Sequence, residues 1–579
     1  MSQIDFNKYQ YLSVQFLILL LLFFSSPYTV TAQNDQKEPL KFTVNINAEL
    51  TNGVYLGISN YLKYDLTVDW GDGTEKQFTY NEHPSHQYMS PGVYEVIVTG
   101  DLHQLYLYPG GFAGAITIKQ WGEYKIESMS YAFRQVDTLI VDAADVPDLS
   151  HTTTLEGMFS SSSYYADISY LDVDVSEWDI SNISNLAYMF AYSKIDNCSM
   201  EGWNTSSVTT VKGIFKGAKL FNCDLNKWDT KNVRDFSESF SGAESFNGNI
   251  TDWNVSNGKN FKNMFREASL FNKDIGNWNI SNGDFLFGMF AHAESFNQDI
   301  DNWNVSKVTN FSEMFLGASS FNQDLNKWDV TNVSTYSFSH MFEGATSFNG
   351  NISNWDVSNG YYFMAMFRNA SSFNQDISSW NVSNAYSYGG LYYMFDGATS
   401  FDQNLGNWDV NSIKKFTNFL TGVQLSTANY DSLLVGWSKQ DLSKGVSFNG
   451  GLSTASSVGD SAREEIVYKF NWTITDGDGI FVSNERSEKN QPISYNLSQN
   501  YPNPFNPTTT FQYQLPKNSI VEIKIFNTNG QLITLLVNEK QPAGIYTVGF
   551  DASNLSSGIY IYRIKTDNFT KSNKMVLIK

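Results

Sequence analysis

The chain has little of what catalytic, metal-bound or disulfide-rich proteins need. Its 579 residues include two cysteines and six histidines, so disulfides are not expected to be the main source of stability. No H-E-x-x-H zinc motif, G-x-S-x-G nucleophile motif or phosphate-binding loop occurs. Acidic residues are plentiful, but nothing singles out a pair for glycoside hydrolysis. The sequence therefore predicts a protein that is not an enzyme.

Positive charge is also scarce. Lys and Arg number 38 against 59 Asp and Glu, which gives a formal net charge of −21 and a pI near 4.7. This balance argues against nucleic acid or an anionic bilayer as the main partner. Aromatic residues make up 16 % and charged residues only 17 %, which predicts a surface of Asn, Ser, Thr and Gly over an aromatic core.

Long apolar runs are missing except near the start. Lys8 precedes an apolar run from Val14 to Phe24, and a small-residue site ends at Ala32. The run is too short to span a bilayer, so residues 1–32 are predicted to be a secretory signal cleaved after Ala32. No cysteine lies near this site, which argues against a lipid anchor.

The most prominent feature that is present is an internal repeat. Tryptophan recurs at intervals of about 25 residues, a period that predicts stacked units with one continuous core. Each unit also carries a phenylalanine, usually in an "MF" pair, which we call the rung phenylalanine. The interval from it to the next tryptophan, such as Phe290 to Trp303, never changes, so all length variation falls between tryptophan and phenylalanine. The tryptophans are Trp178, Trp203, Trp228, Trp253, Trp278, Trp303, Trp328, Trp355, Trp380 and Trp408.

Each unit is expected to hold a short strand and a single helical turn. Ile300, Trp303 and Val305 follow an L-x-x-L-x-L pattern, which favours a short strand with these side chains facing inward. The tryptophan ring is therefore expected to pack in the core, rather than to lie exposed and stack on a sugar. "FSEMFLGA" favours the helical turn. Glycine, with Glu267, His292 and Asn369 as substitutes, would end that turn in the left-handed conformation: Gly217, Gly242, Gly317, Gly344, Gly397 and Gly422. Ten parallel strands about 4.8 Å apart would extend about 50 Å.

"SFNQDIDNWNVSKVTNFSEMFLGA" resembles the BspA-type leucine-rich repeat of bacterial surface proteins, over roughly residues 116–480. The resemblance implies a leucine-rich-repeat solenoid over 110–425 and a closing cap over 426–482. The expected fold is thus mainly β with short helical turns, and the expected role is adhesion.

The segments on either side resemble two further modules. "DWGDGT" followed by "HQYMSPGVYEVIV" resembles a PKD domain, which implies an immunoglobulin-like β-sandwich over 40–108. After a polar linker at 483–492, alternating strands and the hairpin turn "NTNGQ" predict a small β-sandwich. "YPNPFNP", "SSGIY" and "KMVLIK" resemble the type IX secretion sorting domain (type A), over 493–579. That resemblance implies a Gram-negative host, export by the type IX machinery, and cleavage or surface attachment.

One residue after each of the ten repeat tryptophans is Asp or Asn, a series we call the Asx row. On the expected strand this position faces outward, so the row would bind an extended glycan or polypeptide. The alternative is a structural row whose side chains bond each other or nearby backbone. Its members are Asp179, Asn204, Asp229, Asn254, Asn279, Asn304, Asp329, Asp356, Asn381 and Asp409. The predicted ligand-binding residues are Asn254, Asn279, Asn304, Asp329 and Asp356.

Other acidic residues are candidates for calcium, although none has the spacing of a known calcium loop. "DWGDGT" supplies Asp69 and Asp72, and "TDGDGI" supplies Asp476 and Asp478. A second series stands four residues before tryptophan: Asp224, Asp274, Asp299, Asp324 and Asp376. The alternative is that these are ordinary acidic turns and that no cofactor is bound.

The two cysteines, Cys198 and Cys223, are one repeat period apart and occupy the same place in successive units. Their Cα atoms should lie roughly 5 Å apart, within disulfide range. A disulfide and two thiols that replace the Gln of "FNQD" are the alternatives.

These features predict a secreted or surface-attached bacterial protein whose repeats bind a glycan or protein ligand. The alternative is a structural surface-layer or spacer protein without a specific ligand. A polysaccharide-acting enzyme is the third and weakest possibility.

Overall fold

The structure is a computed structural model that describes residues 37–46, 53–56, 64–79, 82–110, 115–134, 136–161, 170–334, 337–482, 492 and 494–579. The predicted signal, with Ala32, and the predicted linker at 483–492, apart from Pro492, lie outside these residues. The chain divides into two units, Met1–Leu442 with Asn449–Gly459, and Ser443–Phe448 with Asp460–Lys579. The described residues are mainly β, as predicted, with two helices.

The N-terminal part of the first unit forms two sheets. A seven-stranded sheet has the order β10-β9-β8-β1-β6-β3-β4, and a three-stranded sheet has the order β5-β2-β7. The strands are β1 Leu40–Ile46, β2 Gly53–Leu56, β3 Asp65–Asp69, β4 Glu75–Thr79, β5 Ser85–Gln87, β6 Gly92–Gly100, β7 Leu107–Gly110, β8 Ile116–Gln120, β9 Thr138–Val141 and β10 Tyr170–Asp172.

The larger sheet joins the N-terminal strands to the start of the repeats. β1 alternates buried and partly exposed residues, as a strand covered on one face does. It pairs antiparallel with β6 on one side and with β8 on the other. β8, β9 and β10 then follow each other in parallel. One sheet therefore runs from the N-terminal segment into the first repeats.

Beyond β10 the repeat units, which we call rungs, contain neither strand nor helix in the described residues up to Ser426. The predicted strand at Trp303 and Val305 is wrong. Trp303 N–H donates to the carbonyl of Ile300 at 3.1 Å, which closes a local turn. The indole Nε1 donates to Ile275 of the preceding rung at 3.1 Å. Backbone amides such as that of Trp303 thus bond within their own rung, and the indole side chain makes the hydrogen bond between rungs that paired strands would otherwise make.

The predicted helical turn around the rung phenylalanine is wrong as well. In the rung containing Phe315, the amides of residues 313, 315 and 317 bond to carbonyls of the next rung at 3.0, 2.9 and 2.6 Å. The intervening amides, of residues 314, 316 and 318, bond three residues back at 3.2, 3.1 and 3.1 Å. Because alternate amides point in different directions, the segment is a series of turns that stitches rungs together. The predicted continuous parallel sheet is reduced to single parallel bridges, such as Asn260 to Phe285.

This turn needs two left-handed residues per rung, four positions apart. The six glycines expected to be left-handed all have positive φ, as do Glu267, His292 and Asn369. The other position was not predicted, because it is held by larger residues such as Tyr188, with φ of 57°, and Glu313, with φ of 58°. A side chain in this conformation costs about 1–2 kcal/mol, which the packing of the rung must offset.

Three stacked series of rings form the core of the repeats. Trp253 and Trp278 stack with centroids 6.3 Å apart, and Phe290 and Phe315 with centroids 5.7 Å apart. A second phenylalanine, Phe296, lies 3.9 Å from Phe290 within the rung. Trp303 is 2 % exposed and both Phe290 and Phe296 are 0 % exposed. The prediction that tryptophan and phenylalanine form the core is confirmed.

Two helices follow the last rung, α1 over Thr427–Ser438 and α2 over Ser457–Phe470. Trp437 of α1 donates its indole N–H to Leu405 at 3.0 Å, repeating the bond that rung tryptophans make. β11 Ser447–Asn449, β12 Thr473–Asp476 and β13 Gly479–Phe481 form a three-stranded sheet in that order. Within the described part of the chain, no helix is both long and apolar enough to cross a membrane.

The C-terminal segment is built from two antiparallel sheets, in the orders β14-β15-β18 and β17-β16-β19-β20. Phe511 and Tyr562 stack with centroids 4.2 Å apart in the apolar core. The predicted hairpin at "NTNGQ" is confirmed, since it joins β16 to β17. The strands are β14 Asn496–Leu497, β15 Thr508–Leu515, β16 Ser519–Asn527, β17 Leu532–Gln541, β18 Gly544–Asp551, β19 Gly558–Lys565 and β20 Thr570–Leu577.

Cys198 and Cys223 form a disulfide between successive rungs. Their Cα atoms are 5.3 Å apart and their sulfur atoms 2.04 Å apart. The sequence left a disulfide and two free thiols as alternatives, and the structure contains the disulfide. The bond joins two rungs that already share stacked rings and hydrogen bonds.

We expect reduction of this disulfide to lower the free energy of unfolding of the repeats by about 3 kcal/mol, because it opens a loop of 25 residues. Urea unfolding of the secreted protein, followed by tryptophan fluorescence with and without dithiothreitol, measures the effect. A C198S/C223S variant should unfold like the reduced protein and ignore the reductant. Two free thiols in the mass spectrum of the non-reduced protein would contradict the prediction.

Candidate functional site

A varied set of side chains, some of them buried, surrounds the turns that join successive rungs. We call the turn face the side chains two residues before and one residue after each rung phenylalanine, from Phe190 to Phe395. The rung interior repeats the same residue types, whereas the turn face changes from rung to rung. Its members in order are Tyr188 and Ala191, Gly213 and Lys216, Glu238 and Ser241, Asn263 and Arg266, Gly288 and Ala291, Glu313 and Leu316, His340 and Glu343, Ala365 and Arg368, and Tyr393 and Asp396.

Ion pairs link the turn face across rungs. Lys216 pairs with Glu238; burial lowers the pKa of Lys216, but the hydrogen bond and charge of Glu238 outweigh it, and the pKa is raised. Arg266 Nη1 reaches Glu313 Oε2 at 2.8 Å, passing the intervening rung. Gly288 stands in that rung, where a Cβ would lie 2.3 Å from Asn263 Oδ1 and 3.4 Å from Arg266 Nη1. The missing side chain therefore leaves room chiefly for Asn263, beside the arginine.

A second group of charges lies farther along the turn face. Arg368 approaches Glu343 Oε1 and Asp396 Oδ2, each at 3.4 Å, and its guanidinium carbon lies 5.2 Å from the centre of the Tyr393 ring. Burial raises the pKa of Asp396, with Arg368 opposing and Glu343 adding to the rise. His340 Nδ1 also contacts Glu343. Acids and bases on this face are therefore largely paired with each other.

The Asx row is exposed, yet it is engaged in local turns. Asn304 Oδ1 accepts hydrogen bonds from the amide of Ser306 at 3.1 Å and from its hydroxyl at 2.7 Å. Asn254, Asn279, Asp329 and Asp356 accept the same amide bond from the residue two positions on. All five predicted binding residues are exposed. Exposure fits the ligand-binding interpretation and turn closure fits the structural one, so binding at this row stays a prediction.

Turn closure also explains the charge state of the acidic members of the row. A hydrogen bond from the Ser358 hydroxyl, joined by one from its amide, lowers the pKa of Asp356. The hydrogen bond from Lys231 lowers the pKa of Asp229 in the same way, against a smaller rise from burial. These carboxylates remain ionised at neutral pH.

The acidic residues considered for calcium have other partners. Asp72 accepts from the Thr74 amide at 3.1 Å and contacts His86 Nε2 at 2.7 Å. Asp476 and Asp478 both contact Arg463 Nη1, at 2.7 and 3.2 Å. Across the described ranges, no three His, Cys, Asp or Glu side chains converge as a metal site. Calcium binding stays a prediction without a preformed cluster to support it.

The second acidic series has a turn role similar to that of the Asx row. Asp299 Oδ1 accepts from the amide of residue 301 at 3.0 Å, and Asp376 Oδ1 from the amide of Ser378 at 2.9 Å. These hydrogen bonds are those of the ordinary acidic turns given above as the alternative.

A different Asn series, which sequence reasoning missed, connects the rungs. Asn297 Oδ1 accepts from the amide of Asn322 at 2.9 Å and from Gln323 Nε2 at 2.8 Å, both in the next rung. The signal for it is the Asn of the recurring "FN" pair, which precedes each tryptophan. We call this series the FN ladder: Asn222, Asn247, Asn272, Asn297, Asn322, Asn349, Asn374 and Asp402.

Comparison with protein families matches both main parts of the chain. A family described as "Mycoplasma protein of unknown function, DUF285" matches residues 109–198, 162–269, 250–338 and 335–433. These overlapping matches span 109–433, or 325 of the 579 residues. A family described as "Secretion system C-terminal sorting domain" matches residues 499–579. No curated protein matches the chain.

The two Asn series should differ in their effect on stability. We expect Asn297→Ala to lower the free energy of unfolding by about 1–3 kcal/mol, because it leaves donors of the next rung without their acceptor. Asn304→Ala, which removes exposed bonds within one turn, should cost about 1 kcal/mol or less. Urea unfolding measures both. An equal or larger loss for Asn304→Ala would show that the Asx row is structural.

Proposed function

We propose that the repeats of this chain, which belongs to the family described as "Mycoplasma protein of unknown function, DUF285", bind an extracellular glycan or protein ligand. The C-terminal sorting domain makes the chain a secreted or cell-surface protein handled by the type IX secretion machinery. We further propose that the cell is Gram-negative and that the protein acts at its outer surface or beyond it. The proposed role is adhesion, without catalysis and without a cofactor.

Our proposal for the architecture is a BspA-type leucine-rich-repeat solenoid preceded by a PKD-like sandwich. The regular bonds from each rung to the next, such as Phe290 N to Met314 O at 2.9 Å, support a solenoid. Trp70, Asp72 and His86 support the PKD resemblance, since His86 stacks on Trp70 at 5.2 Å and contacts Asp72.

One observation carries the binding proposal: the turn face varies from rung to rung while the stacked rings of the rungs are constant. A spacer would need only the rings and the rung-to-rung bonds, which serve equally well with any polar surface. The turn face also carries Arg266, Arg368 and Tyr393, and arginine and tyrosine are enriched at recognition surfaces. The acidic net charge of −21 makes an anionic ligand a poor fit.

The spacer alternative has its own support. The Asx row carries the same residue type in every rung and closes the same turn, as a purely structural surface would. A spacer of this kind would hold other parts of the chain away from the cell without a ligand of its own.

Export should depend on the sorting domain. We expect deletion of residues 493–579 to leave the protein in the periplasm, because the predicted signal at 1–32 still crosses the inner membrane while the family-matched export segment is lost. Immunoblots of periplasmic, surface and culture fractions measure this. A matched variant lacking only residues 483–490 should be exported as usual. Normal surface levels of the 493–579 deletion would contradict the prediction.

Binding should be detectable with the secreted protein on a solid-phase panel of glycans and matrix proteins. We expect retention on at least one member. Replacing Asn254, Asn279, Asn304, Asp329 and Asp356 together with Ala tests the Asx row, with circular dichroism as the control for folding. A folded variant that binds less assigns binding to the row, and unchanged binding assigns it elsewhere. Failure of the native protein to bind any member would favour the spacer.

A further inference from the structure

Six tyrosines gather on two adjacent rungs near the end of the repeats. We call the group the tyrosine patch: Tyr361, Tyr362, Tyr386, Tyr388, Tyr392 and Tyr393. Tyr361 is 38 % exposed and Tyr388 is 50 % exposed, while the others are half-buried. Tyrosines of the rung core would be buried, as Trp303 is, so these rings serve another purpose.

An insertion builds the patch. The segment from Trp380 to Phe395 is three positions longer than the matching segment from Trp303 to Phe315. The added residues fold back, with Tyr386 N donating to Tyr361 O at 2.8 Å and Gly390 N donating to Tyr386 O at 2.8 Å. This loop is therefore anchored to the preceding rung.

Gly389 lies among the rings. Its φ of 146° is accessible to glycine and strained for other residues. A Cβ at this position would lie 3.8, 3.9 and 4.0 Å from ring atoms of Tyr386, Tyr362 and Tyr392. The three rings thus surround one glycine, and the patch is continuous across both rungs.

The rings present both faces and edges. Tyr361 and Tyr386 stack with centroids 5.3 Å apart and an interplanar angle of 28°. Tyr361 and Tyr362 meet edge to face at 5.2 Å and 74°. Tyr386 and Tyr388 follow at 6.4 Å and 59°. The result is a broad aromatic surface that lies open to solvent at Tyr361 and Tyr388.

Charge around the patch selects against ionic ligands. Lys414 Nζ lies 5.1 Å from the centre of the Tyr388 ring, and Arg368 lies 5.2 Å from that of Tyr393, so a cationic ligand would meet cations at the edge. The acids beside Arg368 are already paired with it. An anionic polymer would meet Lys414 at the patch, but the net charge of −21 over the whole chain opposes its approach. An uncharged ligand fits best.

We infer that the tyrosine patch binds a neutral polysaccharide. A ring face is negative and a sugar presents polarised C–H bonds on its apolar face, so the two attract when stacked. Phenolic hydroxyls can donate to and accept from sugar hydroxyls. Protein hot spots instead fill enclosed, desolvated pockets, whereas the most exposed rings here lie on an open surface. Individual contacts are weak, and a repeating polymer gains from several at once. The inference rests on the proposed binding function and names its site and ligand class.

Native gels that contain a polysaccharide test this with the full secreted protein. The probes are a β-1,3-glucan, a xylan and a mannan, with alginate as the anionic comparison. We expect at least one neutral polymer to retard the protein. Y361A/Y388A should bind about tenfold more weakly, since two ring contacts are lost. Y361F/Y388F, which keeps both rings, should stay within about threefold of the native protein.

Tyr468→Ala is the matched control, because Tyr468 is 59 % exposed and belongs to α2, outside the rungs in sequence, and its loss should leave retardation unchanged. The thermal unfolding midpoint of each variant shows that it is folded, and the phenylalanine pair separates ring loss from misfolding. Absence of retardation by every neutral polymer overturns the inference, as does equal retardation of native protein and Y361A/Y388A. Retardation by alginate alone, or binding only to matrix proteins on the solid-phase panel, also overturns it. Binding to matrix proteins would leave the proposed binding function standing.

Discussion

Stacking of buried rings is the constraint on which the repeats depend. From Phe215 onward the rungs stack tryptophan and two phenylalanines against the next rung, as Phe265, Phe290 and Phe315 do at 5.7 Å spacing. A rung that lost a ring would leave a gap against two neighbours. The same geometry brings the indole N–H of most rung tryptophans, such as Trp303 and Trp328, to a carbonyl of the preceding rung, although those of Trp278 and Trp380 have no hydrogen-bond partner among the described residues. The length of the repeat, the constant interval from phenylalanine to tryptophan and the identity of the ring residues all follow from keeping these rings in register. Side chains outside the stacked rings are free to differ.

Much of this could be predicted from the sequence, because ring positions are periodic. The core and the proximity of Cys198 and Cys223 depend on spacing alone, and the C-terminal hairpin on the turn residues "NTNGQ". The strand at Trp303 and Val305 could not be predicted correctly, since alternation of apolar residues reports which side chains are inward and not where the amides bond. In this fold the amides of the tryptophan half close local turns, and side chains make the bonds between rungs. The same alternation of apolar residues would therefore occur with a β-strand backbone or with local turns.

The candidate site is harder to foresee for a related reason. A row of identical residues is the most visible feature of a repeat, and uniformity alone singles out the Asx row. Uniformity is what a turn requires, because every rung must satisfy the same amide. The left-handed position held by Glu313 and His340 is glycine in only two rungs of the turn face, at Gly213 and Gly288, so the sequence pattern predicts a helix surface where the turn face lies. A recognition surface whose contacts differ from rung to rung has to vary, and variation is the property that periodic analysis discards.

Tolerance for variation is unevenly distributed along a rung. Between phenylalanine and the following tryptophan, an added residue would displace one stacked ring relative to the other, and this half keeps the same length in every rung. Between tryptophan and phenylalanine, added residues can bulge outward while both rings stay in place, as those before Phe395 do. New side chains can therefore be acquired only where they leave the rings undisturbed. The loop of Tyr386, Tyr388 and Gly389 occupies such a place, which is why a stack so regular inside can carry one patch that differs from all its neighbours.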